Sequence, residues 1–563
     1  MVSDRQRRGA GRPGGPPGRH AGRAQRAARA RPRRRGPRRR PGTGRPGAAP
    51  APAAPGGDTV TGYAWLVPLP VVVPLLGAAL TLLLANRPGL QRAVSVVVLA
   101  VGVVVAVVLL VEAYRHGPVV VRIGGWPPPV GIVLVADQLA ALMLVVSSAV
   151  TLCVLLYSIG QGRGDIGESA PVTIYHPTYL VLTAGVTNAF LAGDLFNLFV
   201  GFEILLAASF VLITLGGTES RIRTGSTYVV VSILSSMIFL VGVGLVYAAT
   251  GTLNMAQLAG RLDALPDGVR LTLQLILLLA FGIKAAVFPL SAWLPDSYPT
   301  APAPVTAVFA GLLTKVGVYA IIRTETLLFP GGDVNGLLMV VAGLTMVVGI
   351  LGAVAQSDMK RLFSFTLVSH IGYMIFGVAL SSVAGLSGAI FYVVHHITIQ
   401  TTLFLVAGLV EARAGSTDLR RLGGLARVAP LLGVLFFVPA MNLAGVPPFS
   451  GFLGKLGLLQ AGVGAGGVLP WALVAAGTAT SLLTLYAASR VWSIAFWRAP
   501  RLVAAAPPSR LPTLMVGATT ALVALGLVLT VTADPLFGVT TDAATDLRAR
   551  TPYVRAVLPG GAP

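Results

Sequence analysis

The sequence has few charged residues and only one cysteine. Of its 563 residues, 11% are charged and 55% are hydrophobic, whereas soluble domains carry about 25% charged residues. This low charged fraction predicts a polytopic membrane protein, and apolar runs of about 20 residues predict that it is all-α. The lone Cys153 excludes a disulfide framework and a thiolate metal site.

Motifs that carry enzyme chemistry are also missing. The sequence has no phosphate-binding loop, no haem or iron–sulfur ligand set and no nucleophile–base arrangement. Its six histidines show no metal-ligand spacing beyond the adjacent pair His395 and His396. We therefore expect no catalytic residues, no cofactor and no metal, and do not interpret the chain as an enzyme.

The net charge of +22 is concentrated at the N-terminus. Residues 1–57 contain 16 arginines and one aspartate among glycine, proline and alanine, without a hydrophobic period. Such a composition predicts a disordered tail. A basic tail could bind nucleic acid or anionic lipid, or act as a targeting segment. We expect instead that the native chain starts near Val60 and that the preceding residues are translated upstream DNA, so no nucleic-acid partner is predicted.

Fourteen apolar runs have lengths suited to membrane spans of about 20 residues. Their connectors are short, which leaves no room for a soluble catalytic domain. We divide the chain into the tail 1–57, the first spans 58–176, two repeats at 177–330 and 331–500, and a last span with a tail at 501–563. The predicted spans are 63–85, 90–113, 133–157, 177–193, 195–215, 227–250, 270–291, 301–322, 334–355, 362–380, 386–410, 430–461, 469–493 and 512–532.

The short loops indicate the orientation in the cell membrane, because cytoplasmic loops are enriched in lysine and arginine. In a fourteen-span chain, the basic loops all lie on one side, which we predict to be cytoplasmic, and both termini then face outward. These basic residues are Arg87, Arg92, Arg221, Arg223, Lys360, Arg361, Arg413, Arg420, Arg421, Arg427, Arg498 and Arg501.

Several ionisable residues lie inside the predicted spans. A charge at mid-bilayer costs several kcal/mol and usually marks a function or a partner. Each residue also has a structural alternative: a neutral hydrogen-bonded acid, a paired or snorkelling lysine, or interhelical histidine hydrogen bonds. In the functional interpretation, a row of such groups passes protons laterally. They are Glu203 in span five, Lys284 in span seven, Lys315 in span eight, His395 and His396 in span eleven, and Lys455 in span twelve.

Prolines predict broken helices in spans seven and twelve. Pro289 follows Lys284 by five residues, and Pro447 and Pro448 precede Lys455. An interior proline removes a helical hydrogen bond, and free backbone at membrane depth is tolerated where it is buried in protein or lines a wet cavity. The segments PLSAWL at 289–294 and PFSGFL at 448–453 are alike and lie five predicted spans apart. This predicts inverted repeats, which are typical of transporters.

The stretch FGIKAAVFPLSAWLPDSYPTAPAPVTAVFAGLLTKVGVYAIIR at 281–323 resembles the signature of the antiporter-like proton-translocating family. That family includes three membrane subunits of respiratory complex I, membrane subunits of related hydrogenases, and the Mrp-type multisubunit cation/proton antiporters. The resemblance runs from about residue 63 to 500, and GDLFNLFVGFEILLAASFVLI at 193–213 is most similar to the D-type subunits of the Mrp antiporters. DMKRLFSFTLVSHIGYMIFG, FYVVHHITIQTTLFLVAG and NLAGVPPFSGFLGKLGLLQAG agree.

The resemblance implies roles for matching positions. Glu203 and Lys284 match the input half of a proton channel, Lys315 the connection toward its centre, and Lys455 the ionisable residue of the exit half. Asp194 is a candidate proton-uptake group at the start of span five, and Asp296 and Gln400 are candidate supporting residues.

Two further features qualify these roles. Asp296 and Asp358 lie at span ends in family-like motifs, and we interpret them as loop or helix-end groups. The family usually has a lysine where this chain has Gln400. Glutamine can hold a water wire but carries no charge, so the central relay would rely on His395, His396 and water.

The sequence thus favours a membrane subunit of a multisubunit antiporter that exchanges protons for Na⁺ or another monovalent cation. Its expected partners are the other subunits of the complex and the lipid bilayer. Two alternatives stay open: a proton-pumping subunit of an NADH dehydrogenase- or hydrogenase-type redox complex, and a scaffold subunit with an inactive channel, for which Gln400 is the best support.

Overall fold

The computed structural model describes residues 62–162, 172–499 and 511–559. The predicted tail at 1–57 lies outside these ranges. The α-helices are α1 Leu69–Leu83, α2 Pro88–His116, α3 Gln138–Gln161, α4 Val172–Leu191, α5 Leu195–Thr214, α6 Glu219–Thr250, α7 Met255–Arg261, α8 Asp267–Ala285, α9 Leu294–Ser297, α10 Ala303–Val308, α11 Thr314–Arg323, α12 Asn335–Ala355, α13 Met359–Ala379, α14 Val383–Ala414, α15 Leu425–Val428, α16 Pro430–Ala444, α17 Ser450–Ala465, α18 Val468–Val491, α19 Thr513–Val531, α20 Ala533–Ala549 and α21 Thr551–Val557.

Short irregular elements complete this set. Strands β1 Val119–Arg122 and β2 Val133–Ala136 form an antiparallel hairpin, in which Val119 pairs with Ala136. The sequence predicted a connector at β1 but placed β2 inside the third span, 133–157; this is corrected, because the helix of that span begins only at Gln138. Single 3₁₀ turns lie at Ala64–Leu66, Ile123–Gly125 and Tyr298–Thr300, and π-helical turns at Phe309–Leu313, Thr324–Leu328 and Trp492–Trp497.

The prediction of an all-α polytopic membrane protein is confirmed. Within the described ranges, 12 helical segments are long and apolar enough to cross a membrane. The two other predicted spans correspond to α4, which has 20 residues, and to the pair α16 and α17, each too short alone. The predicted bounds differ from the observed ones by a few residues. For example, span eleven was predicted at 386–410 and is observed as Val383–Ala414.

Both predicted helix breaks are confirmed. Helix α8 ends at Ala285 because Ala286 adopts a left-handed backbone with φ of 59°, and helix resumes only at Leu294. Helix α16 ends at Ala444 before Gly445, whose φ is 84°, and α17 starts at Ser450. A third irregularity, the π-helical turn directly before Lys315, was not predicted. Single π turns frequently occur at functional sites.

An internal repeat relates α4–α6 to α12–α14. Asp194 and Asp358 are helix N-caps 164 positions apart, and their bridge partners Asn254 and Asp418 have the same offset. Helices α6 and α14 both have 32 residues and begin 164 positions apart, at 219 and 383. Five crossings separate α5 from α13, so the second copy is inverted in the membrane. The predicted repeat bounds, 177–330 and 331–500, stay predictions.

We name the two ends of the helix bundle the hairpin face and the arginine face, after the structural features found at each. The hairpin face contains β1 and β2, the α4–α5 turn, α7, α20 and α21. The sequence predicted only a tail after the last span, and the structure corrects this by placing helices α20 and α21 there. Helix α20 was not predicted because it is too polar to resemble a span. Arg550 joins this segment to Asp263 of the hairpin face with a 2.9 Å ion pair.

The arginine face contains the loops α1–α2, α5–α6, α12–α13 and α14–α15 and the end of α18. The backbones of Asp358 and Asp418 form an isolated antiparallel β-bridge there. The side chain of Arg361 forms a 2.8 Å ion pair with Asp296. The described basic loop residues that the sequence placed on one side therefore do lie at one end of the bundle.

Candidate functional site

Glu203 and Lys284 are positioned by the same face of α6. The Glu203 carboxylate accepts a hydrogen bond from the Ser236 hydroxyl, and Lys284 Nζ donates to the Ser232 carbonyl at 3.3 Å. Residues four apart lie on one helix face, so α6 holds the carboxylate and the ammonium about one turn apart. Among the described residues, Glu203 and Lys284 form no direct ion pair.

Lys315 is in α11, two residues before Gly317, where α11 packs closely against α8. A Cβ added at Gly317 would lie 2.6 Å from the Ala285 nitrogen and 3.0 Å from the Lys284 carbonyl carbon. Only glycine allows the two backbones to approach this closely. Lys315 is fully buried, and its Nζ donates to the Ala310 carbonyl at 2.6 Å. That carbonyl belongs to the π-helical turn, so the turn supplies the ammonium with an oxygen partner.

The centre of the bundle contains imidazole rings rather than a further lysine. The His370 and His396 rings lie 5.3 Å apart, and His370 Nδ1 forms a 2.6 Å hydrogen bond with the Tyr392 hydroxyl. Gln400 Nε2 donates to the Phe363 carbonyl at 2.7 Å. Both ring nitrogens of His396 and Oε1 of Gln400 are buried and have no partner within the described ranges.

His395 connects this centre to the broken span twelve. Its Nδ1 lies 3.0 Å from the Ser450 hydroxyl, at the first residue of α17. The same hydroxyl donates to Asn442 Oδ1 at 3.3 Å, at the end of α16. His395 therefore contacts α17 directly and is linked to the end of α16 through the Ser450 hydroxyl.

Lys455 is held by the end of α16. Its Nζ donates to the carbonyls of Leu443 at 2.9 Å and Ala444 at 3.0 Å, and to the Ser481 hydroxyl at 2.9 Å. Carbonyls at a helix C-terminus carry partial negative charge, which stabilises a cation there. The Tyr373 ring centroid, 5.3 Å from Nζ, adds a cation–π contact.

The three predicted supporting residues lie in different places. Asp194 is on the hairpin face, where Oδ1 accepts from the Asn197 nitrogen at 2.6 Å and burial raises the pKa of its carboxyl to about 6. Asp296 is exposed on the arginine face and pairs with Arg361. Gln400 lies one turn from His396 on α14. Of the three, only Gln400 is adjacent to the central histidines.

Sequence reasoning missed other buried polar groups inside spans. His370 lies between the lysines, although its segment stood out only as a family-like motif. Arg323 pairs with Asp137 at 2.5 Å, and Gln274 donates to Glu325 at 2.9 Å. The rule that selected Lys284, an ionisable residue within an apolar run, would have found His370. Arg323 and Glu325 were missed because the predicted span ended at residue 322, whereas the observed helical segment runs to Leu328.

Comparisons with known proteins agree with this architecture. The family described as "NADH:quinone oxidoreductase/Mrp antiporter, TM" matches residues 192–484. The chain is 39% identical over 496 residues to the D-type subunit of the Na(+)/H(+) antiporter of Alkalihalophilus pseudofirmus, covering 88% of this chain and 99% of that protein.

Solved structures give the same result. A chain of the Mrp complex from Dietzia sp. DQ12-45-1b superposes with a TM-score of 0.83 at 34% identity, over 88% of this chain and 100% of that chain. A chain of an archaeal membrane-bound sulfane sulfur reductase gives a TM-score of 0.80 at 28% identity, with the same coverage of 88% and 100%. The chain therefore belongs to the NADH:quinone oxidoreductase/Mrp antiporter transmembrane family, and within it to the relatives of the D-type Na(+)/H(+) antiporter subunits.

Proposed function

We propose that this chain is the subunit of a multisubunit Na⁺/H⁺ antiporter that carries protons along Glu203, Lys284, Lys315, the central histidines and Lys455. The exchange activity is taken from the name of the D-type relative. The multisubunit assembly is taken from the Mrp complex to which the fold is similar. The location is the cell membrane, with the other subunits of the complex as partners.

One observation carries the proposed proton path: each of its three lysines is held by neutral oxygens, whereas Lys360, at the arginine face, forms an ion pair with Glu411. Lys284 uses the Ser232 carbonyl, Lys315 the Ala310 carbonyl, and Lys455 two carbonyls and a hydroxyl. A tight buried ion pair strongly favours one charge state, because removing either charge leaves the other unpaired. Neutral oxygens bind an ammonium and still tolerate the amine, so these lysines can gain and lose a proton.

The central part of the path would run through His370, His395 and His396 with water. Buried polar atoms in proteins are almost always hydrogen-bonded. The unpartnered nitrogens of His396 and Oε1 of Gln400 therefore favour bound water between Lys315 and Lys455. In this path Gln400 orients water, and the histidines carry the proton.

For the orientation, we propose that the arginine face is cytoplasmic and that the hairpin face is outward. The support is the set of basic loops at one end of the bundle. The C-terminal helices α20 and α21 would then lie on the outer side.

Exchange in vesicles that contain the whole complex tests the path. Glu203→Gln or Lys284→Ala should abolish Na⁺-dependent proton movement with assembly unchanged, because each removes a proton carrier. Glu219→Gln is the matched control, since Glu219 is in the first turn of α6, at the end of the helix away from the relay. Normal exchange by either relay variant would refute the path.

The same vesicles separate the antiporter from the redox alternative. An imposed Na⁺ gradient should drive proton movement without any electron donor. If proton movement required an electron donor, the redox alternative would replace the antiporter.

A further inference from the structure

A second polar pair lies between α8 and the helix that carries Lys315. Gln274 Nε2 donates to Glu325 Oε2 at 2.9 Å. Gln274 precedes Lys284 by ten residues in α8, and Glu325 follows Lys315 by ten residues. At 1.5 Å per helical residue, the pair is about 15 Å from the lysines along the same two helices. It therefore lies where this helix pair reaches the hairpin face.

This pair has acceptor atoms without donors. Oε1 of Glu325 and Oε1 of Gln274 are both buried and have no hydrogen-bond partner among the described residues. Gln274 is 1% exposed. Leaving a buried acceptor unpaired costs about 1–3 kcal/mol, more when it is charged. Two such atoms in one hydrogen-bonded pair therefore favour a bound group that donates hydrogen bonds or supplies positive charge.

The backbone and the nearby charges point to the same kind of ligand. Glu325 is in the π-helical turn Thr324–Leu328, a geometry that frequently occurs at functional sites. The Asp333 carboxylate has the same charge as the Glu325 carboxylate and repels it. Arg270, one turn before Gln274, is 3.1 Å from both Asp333 and Asp267. Three carboxylates and one guanidinium leave a net negative charge when all are ionised.

The other charged groups close to the pair of Gln274 and Glu325 leave the net charge around it negative. Arg323, two residues before Glu325, is already paired with Asp137. Helices α7 and α20 pack against the π turn. The charged residues on these two helices are Arg261, Asp534, Asp542, Asp546 and Arg548. Arg261 donates to the Thr250 carbonyl at 2.7 Å.

We propose that Glu325 and Gln274 form a monovalent-cation site at the hairpin face, which Na⁺ and the proton occupy in competition. Carboxylate and amide oxygens are the ligands that hard cations prefer. Na⁺ binds the two free oxygens when Glu325 is ionised. A proton on the Glu325 carboxyl removes the charge that attracts Na⁺, so each ion displaces the other.

The pair occurs in only one of the two halves. The proline motifs at 289 and 448 are offset by 159 positions. The same offset places Gly433 opposite Gln274 and Thr484 opposite Glu325. Neither of these residues can supply a carboxylate or an amide. The proposed site therefore serves the half that contains Glu203 and Lys284.

This inference rests on the proposed antiport function, and the test separates the two. In vesicles containing the whole complex, Glu325→Gln should raise the Na⁺ concentration for half-maximal exchange at least tenfold. Gln274→Leu, which keeps the carboxylate, should raise it about threefold. Glu325→Asp should fall between the wild type and Glu325→Gln. The control Glu219→Gln should not change it.

Direct binding gives a readout that does not depend on transport. Adding Na⁺ in place of N-methylglucamine to the purified complex should change the carboxyl infrared bands, with a larger Na⁺ requirement at lower pH. Glu325→Gln should remove this signal.

Failure of the site and failure of the relay give different results. An unchanged half-saturating Na⁺ concentration in Glu325→Gln, or an unchanged infrared signal, overturns the site, even where Glu203→Gln abolishes exchange. Should Glu203→Gln leave exchange intact, the relay fails while the infrared result still decides the site. If Glu325→Gln does not assemble, Glu325→Asp and Gln274→Leu are measured instead, and wild-type Na⁺ dependence in both overturns it.

Discussion

The two inverted copies share a backbone plan but hold different chemistry. At the 164-residue offset, Ser232 and Ser236 of α6 correspond to His396 and Gln400 of α14. In the first copy the two small residues leave room for Glu203 and Lys284, which reach α6 from α5 and α8. In the second copy an imidazole and an amide fill that space. The first copy thus places its ionisable groups on the helices around α6, whereas the second places His395 and His396 on α14 itself and His370 on the neighbouring α13.

The helix breaks differ in a related way. Lys284 precedes its break, whereas Lys455 follows its own. The position equivalent to Lys284 is Leu443, at an offset of 159, and its carbonyl accepts the hydrogen bond from Lys455. The position equivalent to Lys455 is Asp296, which is exposed. Each break therefore lies next to one lysine, but on opposite sides, and only the Lys455 ammonium is held by carbonyls of its own break. Similar backbones thus need not place the relay residue at the same position.

The largest expected effect comes from removing the only lysine of the second copy's break. Lys455→Met should reduce exchange at least 100-fold, in the range typical of losing a proton-transfer group. The carbonyls of Leu443 and Ala444 remain and cannot carry the proton. The measurement is Na⁺-dependent proton movement in vesicles with assembly verified.

The control for this variant is Arg420→Gln, which removes a charge from an exposed ion pair at the arginine face. Exposed pairs contribute little to stability, so exchange should stay near normal. Strong exchange by Lys455→Met would mean that the second copy does not need an ionisable group at its break.

Much of this arrangement could be predicted from the sequence. Lys284, Lys315 and Lys455 stand out because an ionisable residue in an apolar run is costly, and Pro289 and Pro448 mark the breaks. The π turn at Phe309–Leu313 could not be predicted, because one widened turn leaves no mark in composition.

The partners of the lysines were also beyond the sequence. They are mostly backbone carbonyls, such as those of Ser232 and Ala310, and any residue type supplies a carbonyl. The 164-residue repeat was missed because equivalent positions differ in chemistry, as Ser232 and His396 do. The similarity between PLSAWL at 289–294 and PFSGFL at 448–453 was visible because both helix breaks need the same backbone conformation.

An intermediate effect should separate the equivalent residues Ser236 and Gln400. Ser236→Ala removes the hydroxyl that donates to Glu203. A hydrogen bond to a charged group contributes about 1.5–3 kcal/mol, so exchange should fall about tenfold or more. Gln400→Ala removes a donor to a backbone carbonyl, and should lower the stability of the complex more than its rate.

Exchange rates and thermal unfolding of the whole complex, measured on both variants, test this separation. Equal rate losses for Ser236→Ala and Gln400→Ala would show that Gln400 takes part in proton transfer as directly as the Glu203 pair. That result would remove the difference in chemistry between α6 and α14.

The smallest effect concerns the equivalent N-caps Asp194 and Asp358. The second oxygen of Asp358 accepts from the Thr417 hydroxyl, whereas the equivalent of Thr417 in the first copy is Leu253, and Asp194 Oδ2 has no partner among the described residues. Burial raises the pKa of Asp194 from 3.8 to about 6. The folded state therefore binds a proton more readily than the unfolded state, and stability from this group is present below pH 3.8 and is lost as the pH rises through about 6.

Asp194→Asn keeps the capping oxygen and removes the charge. It should stabilise the complex by up to about 3 kcal/mol at pH 7.5, from 1.36 kcal/mol per pKa unit, and progressively less toward pH 4. Asp358→Asn should give no such gain, because it weakens the hydrogen bond from Thr417. Thermal unfolding across this pH range measures both variants. A pH-independent difference for Asp194→Asn would mean that its carboxyl is not buried as a charge at neutral pH, and that the two N-caps are equivalent in energy despite their different neighbours.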